Sequence, residues 1–465
     1  MNIHIKSILA ALAFSFLFYS NNLGLNLFFI AVIVVILLIT LKRNKPISWK
    51  YYCLYLLSSV FVFINPTAYS IFIHFMTFIL LIGKFIAPKN SLYISWLIGL
   101  INMLVASAAN FNKRERNPEK KKEKAITPKT LNYIKGIVIA IGLLFLFTLL
   151  YKNANPVFNT LISKIDLNFI SIPWLFFTFL GYILFLHILN PYHPKELIDT
   201  DNAQNNYLVE PTNPFSEKTL KKLGEEHILG SIVFGTLNLL LIFFLTTDVI
   251  YLLKETTITN AAYSESVHQG VYALMFSIVC AIVLILYFFR GNLNFFQDNK
   301  RLKSLTFLWI GLNLILVTFT SYKNYQYVEA LGFTYKRIGV FVYLLLTIIG
   351  LITAYIKVTH IKNFVYLVRT NIAVFFALLF ISAAIPWDKM ITSYNLSQIK
   401  NPDINYLINL GDTNSKQLYI YTNKNNISNE SKQSINTKYT NFIAEYSNLN
   451  WQEYTLYQFT DKNIK

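Results

Sequence analysis

Runs of uncharged, mostly apolar residues recur along the whole chain, with short polar or basic connections between them. They fall at approximately 5–20, 23–41, 50–65, 68–84, 91–108, 131–151, 168–189, 227–252, 266–289, 304–321, 337–356 and 367–385. Most have the length, about 17–25 residues, that crosses a bilayer core as a helix. Lipid offers the backbone no hydrogen-bond partners, so such a segment must satisfy itself, and a helix does so. The pattern predicts an all-α fold: a polytopic transmembrane helical bundle of about 11–12 spans with a small C-terminal extramembrane tail. Three divisions follow. Residues 1–130 form N-terminal hairpins ending in a basic cytoplasmic loop, 131–386 a transmembrane core, and 387–465 an extracytoplasmic tail. The first four spans are short, with tight turns such as N-N-L-G and I-N-P-T between them.

Composition agrees. The 465 residues are 54% hydrophobic and only 14% charged, where a soluble domain carries about 25% charged residues. The net charge of +18 resides in the connections. K-R-N-K-P-I-S-W-K (42–50), N-K-R-E-R-N-P-E-K-K-K-E-K (112–124), 290–303 and 357–369 read as cytoplasmic by the positive-inside rule. Alternation then puts 152–167, 253–265 and the tail after Pro386 outside. Three spans between 42–50 and 112–124 would part those two basic loops. One segment among 50–108 is therefore expected to be re-entrant or interfacial. No basic soluble module is visible, so nucleic acid is not an expected partner. Cys53 and Cys280 lie in apolar runs and support neither a disulfide framework nor a metal set. No A-x-A-like site closes the first run, so it is expected to remain as a span.

Two polar regions break the pattern. Prolines at 191, 194, 211 and 214 argue against one long helix in the acidic segment 190–226. The tail is rich in Asn, Tyr, Ser and Lys. Ile404, Leu407 and Leu410 share a face, which predicts a short helix over Asp403–Leu410. Q-L-Y-I-Y-T-N (417–423) and E-Y-T-L-Y-Q-F (453–459) predict strands. So small a unit is expected to order against the membrane domain or a partner.

Candidate chemistry is sparse. In Y-S-E-S-V-H-Q-G (263–270), Glu265 and His268 stand three apart and share a helix face. Two readings stay open. Ser264 can cap a helix whose first turn welcomes Glu265. Alternatively the two form a protonatable pair at a cavity mouth, with His268 titrating near neutral pH. Asp248 and Tyr251 close the preceding span and are expected on the same side. Asp248, Tyr251, Glu265 and His268 are thus the candidate polar site. Arg290, in F-F-R-G-N-L-N-F-F, is a candidate lipid-headgroup contact or an anchor. The stretch Y-K-N-Y-Q-Y-V-E-A-L-G-F-T-Y-K-R (322–337) reads as a compact polar hairpin turn between spans, in which Gly332 is suited to positive φ and Thr334 to capping a helix from about Tyr335. Lys336 and Arg337 there offer a basic pair to phosphate, a signal of low specificity. Asn238 and Asn313 suit interhelical hydrogen bonds, and His74 a packed histidine. H-E-x-x-H, G-x-S-x-G, P-loop and C-x-x-C motifs are absent from the sequence. No catalytic, cofactor-binding or metal-ligating residue is assigned, and no cofactor is expected.

Several stretches together resemble a known family: L-N-Y-I-K-G-I-V-I-A-I-G-L-L with N-A-N-P-V-F, the Y-x-E-x-x-H-Q-G stretch, F-R-G-N-L-N-F-F, A-L-G-F-T-Y-K-R-I-G-V and W-D-K-M-I-T-S-Y-N-L. They are similar to a bacterial family of polytopic membrane proteins called domain of unknown function 4173, with 4153 as a related label, in its Bacteroidota form. The resemblance covers roughly 130–410. Its Y-G-L-T-x-x-R pattern appears as Leu331, Gly332, Phe333, Thr334 and Arg337. Many relatives read Y-A-E-Y-x-R-x-G-F where this chain has Tyr263, Glu265 and Gly270. Here His268 or Gln269 stands at the basic position and Val271 at the aromatic one. The resemblance implies an inner-membrane location and supplies no activity.

The function this predicts is non-enzymatic: a scaffold, sensor or assembly partner in contact with membrane lipids, meeting a protein partner through its outer loops and tail. The alternative is a transporter or lipid-handling protein, with its polar site at the outer end of the 227–252/266–289 hairpin.

Overall fold

The computed structural model describes residues 2–41, 47–115, 128–158, 171–254, 276–277, 279–425 and 427–460. Within them, every predicted apolar run carries a helix. In order these are α1 (Ile3–Phe18), α2 (Leu25–Thr40), α3 (Trp49–Ile64), α4 (Ala68–Ile86), α5 (Leu92–Glu115), α6 (Pro128–Ala154) and α7 (Ile172–Leu189). A short α8 (Lys195–Ala203) follows, then α9 (Glu217–Lys254), α10 (Val279–Phe288), α11 (Lys300–Leu331), α12 (Tyr335–Thr359) and α13 (Phe364–Ala383). Among the described residues, seven helices are long and apolar enough to cross a membrane, and four more are apolar but shorter. The chain is an all-α, multi-pass membrane bundle.

Polar side chains set the helix starts. Thr67 and Ser70 form a capping box at α4, Ser171 caps α7, Thr334 caps α12 and Asn363 caps α13. Two helices overrun their apolar stretches. The 38-residue α9 is about 57 Å long at 1.5 Å per residue, so its charged first turns stand clear of a core about 30 Å thick. Helix α11 continues through Tyr322–Leu331, a stretch expected to be turn. The stop comes at Gly332, where φ is +80°.

Two apolar cores lie side by side. One joins α1–α5 with the end of α7 around Val34, Leu81 and Phe185. The other joins α9–α12 around Phe234, Val317 and Leu351. Phe376 and Phe380 of α13 pack on Ile73 and Leu80 of α4. Outward residues such as Leu239, Phe243 and Leu104 are exposed, as a lipid-facing surface requires. His74 is a packed histidine: it is buried, stacked on Tyr55, and bonded to Ser58 at 2.9 Å. Asn238 bonds across to the Leu305 carbonyl at 2.9 Å. Asn313 instead bonds the Trp309 carbonyl of its own helix at 2.8 Å. Cys53 and Cys280 are exposed free thiols.

Polar contacts define two faces of the bundle. On the first, Asp201 accepts from the Ser91 backbone N–H at 2.7 Å and from Arg369 at 3.1 Å. Lys357 donates to the Phe289 carbonyl at 2.7 Å, and Asn90 to that of Ile198 at 3.3 Å. This face gathers the basic ends at 290–303 and 357–369. Helix α5 meets it twice, first at Ser91 and again where Asn102 and Asn110 bond the carbonyls of His187 and Asn190. The linking segment holds Lys195, Glu196 and Asp199, charges a bilayer core would not accept. Helix α5 is among the seven helices long and apolar enough to cross a membrane, and both of its ends bond to the 187–201 stretch.

The second face carries the tail. Its elements are α14 (Trp387–Gln398), α15 (Ile404–Ile408), α16 (Ser415–Lys424), α17 (Asn429–Ser447) and α18 (Tyr457–Thr460). The expected helix at 403–410 is present as α15, with Leu407 buried. The two expected strands are corrected. Residues 417–423 lie in α16, and 453–459 pass through a 3-10 turn (Trp451–Glu453) into α18. Ser415, Leu418 and Thr422, three and four apart, are the buried positions of α16. Helical spacing thus prevails over the alternation of Leu418, Ile420 and Thr422.

Candidate functional site

A cavity of about 940 Å³ lies between the helix ends and the tail. Its floor is the 65–69 start of α4, Tyr327 and the 334–337 start of α12. Its roof comes from α15, residues 409–413 and the end of α17.

The floor follows from local sequence. The ε-type backbone of Gly332 (φ +80°, ψ 178°) is open only to glycine. The amide of Asn395, from α14, fills the space a Cβ would occupy. That amide accepts from the Phe333 N–H at 2.7 Å and donates to the Phe333 carbonyl at 2.9 Å. Thr334 then opens α12 by accepting the Arg337 N–H at 3.3 Å. Arg337 folds back, its Nη1 donating to the carbonyls of Leu331 (2.9 Å) and Gly332. Its guanidinium lies 4.0 Å from the centre of the Tyr327 ring. The Nε of Arg337 is buried without a hydrogen-bond partner.

The roof is tied down by hydroxyls. Tyr335 donates its OH to the buried Asp388 carboxylate at 2.7 Å, and Thr413 donates to the other oxygen at 3.3 Å. The Tyr335 backbone N–H donates to Tyr406 Oη at 2.9 Å. Burial raises the Tyr406 phenol pKa, although that N–H bond favours the phenolate. The Tyr446 phenol is pushed up to about 12, chiefly by burial and then by the charges of Glu445 and Asp412. Both tyrosines are therefore neutral donors at physiological pH. Lys336, Arg337, Asp412 and Glu445 give the cavity both signs of charge.

A second anchor sits at the far end of the tail. Buried Glu453 accepts from the N–H groups of Asn22 and Asn450. Leu25 N–H donates to the Tyr454 carbonyl at 2.9 Å, and Leu456 N–H to that of Phe63 at 2.9 Å. Trp451 packs on Phe16 and Phe29. Ile338 of α12 enters the apolar cluster of Ile391, Leu407, Leu418 and Ile435. The tail is thus ordered against the membrane domain at two separate places.

The residues singled out from sequence fall elsewhere. Asp248, on α9, forms an ion pair with Lys323 of α11. That partner was read only as part of a turn. Tyr251 belongs to α9, one turn on. Glu265 and His268 lie outside the described residues. Arg290 is exposed, with its guanidinium 4.3 Å from the Tyr287 ring centre, and stands on the face opposite the tail. Of the sequence candidates, Lys336 and Arg337 line the cavity. Asp388 and Asn395 lie in the W-D-K-M-I-T-S-Y-N-L stretch but had no role assigned from sequence, and Tyr406 carried no motif.

A family model described as Domain of unknown function (DUF4153) matches residues 7–419. No curated protein and no solved structure matches the chain.

Proposed function

The chain belongs to this family of unknown function, and from that premise we propose that it is a non-enzymatic membrane sensor or assembly partner. Its tail, seated over the cavity, relays occupancy of that cavity to a protein partner. The observation that carries this reading is the shared cavity itself. Helix ends form its floor and the tail its roof, so a ligand there touches both. Polar anchors at Asn395, Asp388 and Glu453 hold the tail beside the small apolar cluster that Ile338 enters. Such contacts are individually weak enough to exchange. Within the same proposal, the membrane is a bacterial inner membrane, the tail lies outside, and the family branch is the Bacteroidota form of the 4173 type.

The test is a reversible lock. Asn450 Nδ2 and Asn21 Oδ1 are 3.0 Å apart, away from the cavity. Asn21→Cys with Asn450→Cys, in a Cys53→Ser/Cys280→Ser background, ties the tail to α1 when oxidised. The oxidised protein is expected to reproduce the phenotype of the deletion strain, and reductant to relieve it. A locked protein that fully complements the deletion would remove the sensor reading.

A transport reading has one observation in its favour, the Asp248–Lys323 ion pair between membrane helices. It requires a water path from outside to Asp248. Asp248→Cys should then react with a membrane-impermeant thiol reagent in intact cells, and an unreactive cysteine there counts against transport.

A further inference from the structure

Resting on the sensor reading of this same cavity, we infer that its ligand is zwitterionic: a phosphoester headgroup bearing an ammonium group, as in phosphatidylethanolamine.

The argument starts with Arg337. Two carbonyls and the Tyr327 ring fix the guanidinium in place. They occupy Nη1 and one ring face, while the buried Nε has no partner. A buried donor left unpaired is costly, and an anionic oxygen is the acceptor that suits a guanidinium best. Lys336 adds a second cation at the start of the 25-residue α12, where the helix dipole also favours an anion.

Charge of the opposite sign lies across the cavity. Asp412 and Glu445 come from the tail, and the ion pairs among the described residues lie elsewhere, at Asp248–Lys323 and Asp201–Arg369. A purely anionic ligand would therefore face three carboxylates, the hydroxyl-bonded Asp388 and the exposed Asp412 and Glu445, and a purely cationic one would face Lys336 and Arg337. A ligand with phosphate at Arg337 and ammonium toward Asp412 and Glu445 meets opposite charge on both walls. Tyr69 and Trp387 also line the space, as the amphipathic rings found at headgroup level do. The first turn of α4 lines the cavity, at the end of the membrane helices. A lipid headgroup and a water-soluble phosphoethanolamine share this chemistry.

The experiment uses the full chain in nanodiscs containing equal amounts of phosphatidylethanolamine and phosphatidylglycerol. Native mass spectrometry then reads the lipid retained per chain. Retention of phosphatidylethanolamine at least tenfold over phosphatidylglycerol is expected. Arg337→Gln should abolish it. Arg337 also supports its own turn, so Asp412→Asn with Glu445→Gln provides a second variant on exposed side chains. It should lose the selectivity and shift retention toward phosphatidylglycerol. Displacement by millimolar phosphoethanolamine supports the site with a soluble ligand as its source. Retention without displacement supports it with the membrane as source. Equal retention of the two lipids, or selectivity untouched by Asp412→Asn/Glu445→Gln, overturns the inference. A selective site in a protein whose locked tail still complements would leave the inference standing and remove the sensor reading. No selectivity, with the lock still inactivating, would do the reverse.

Discussion

Gly332→Ala probes the joint between the membrane helices and the tail. The backbone there (φ +80°, ψ 178°) costs an alanine about 1–3 kcal/mol. A Cβ would also lie 2.7 Å from Asn395 Cγ, inside contact distance. Asn395 must then move and give up its two bonds to Phe333, each worth about 1 kcal/mol. The sum is about 3–5 kcal/mol, borne at one junction. At about 1.4 kcal/mol per tenfold, exchange of the Tyr335 amide should accelerate by about two to four orders of magnitude. Hydrogen exchange of the full chain in nanodiscs reads this directly. Asn395→Ala alone removes only the two bonds, about 2 kcal/mol. The double variant should match Gly332→Ala rather than the sum of the singles, because the bonds are lost in both. Exchange within threefold of the parent in Gly332→Ala, or strictly additive effects, would refute the reasoning.

Three further outcomes follow from other contacts. Burial pushes the Asp201 carboxyl up, but the bonds from the Ser91 N–H, Arg369 and the Ser91 hydroxyl, with the Arg369 charge, together hold it below the ordinary value of 3.8. Its contribution to stability is therefore present above about pH 4 and lost as pH falls through the lower folded-state value. Proteolysis of the 195–216 segment should rise only in that acid range, and Asp201→Asn should flatten the profile. Lys357, 1% exposed and bonded to one carbonyl, is a costly buried cation. Lys357→Met should stay within about 1 kcal/mol of the parent in thermal unfolding, whereas Lys357→Ala should lose about 2–5 kcal/mol through the cavity it leaves. Glu453→Gln turns a doubly accepting carboxylate into an amide facing N–H donors. It should release the end of the tail by about 2 kcal/mol, seen as faster cleavage after Trp451 with no change in membrane extraction.

How much of this the sequence could show depended on the range of the interaction. Membrane helices were legible because length and apolarity are local, and the turn at Gly332–Thr334 because capping is local too. The inward use of His74 was legible, as no acid stood near it. Asp388 drew no attention because its partners come from Tyr335 and Thr413, residues 53 and 25 positions away. Lys323 could not be paired with Asp248 from sequence, since 75 positions separate them. Asn313 turned to its own helix, where the Trp309 carbonyl was one turn away. The tail misled in a different way. Its Tyr- and Ile-rich runs alternate like strands, yet Leu418 and Ile435 bury into a single cluster at helical spacing. The cavity is assembled from five separated segments, so no local pattern announced it.

The seating of the tail on the helix ends is tested most directly by residue-resolved hydrogen exchange of the whole protein in nanodiscs. Four amides donate across the junction: Leu25 to Tyr454, Leu456 to Phe63, Phe333 to Asn395 and Tyr335 to Tyr406. Protection of all four well above the rate of an unstructured peptide is the predicted result. Exchange of Phe333, Tyr335 and Leu456 at unstructured rates, with α4 and α12 still protected, would show the tail detached and would contradict the account.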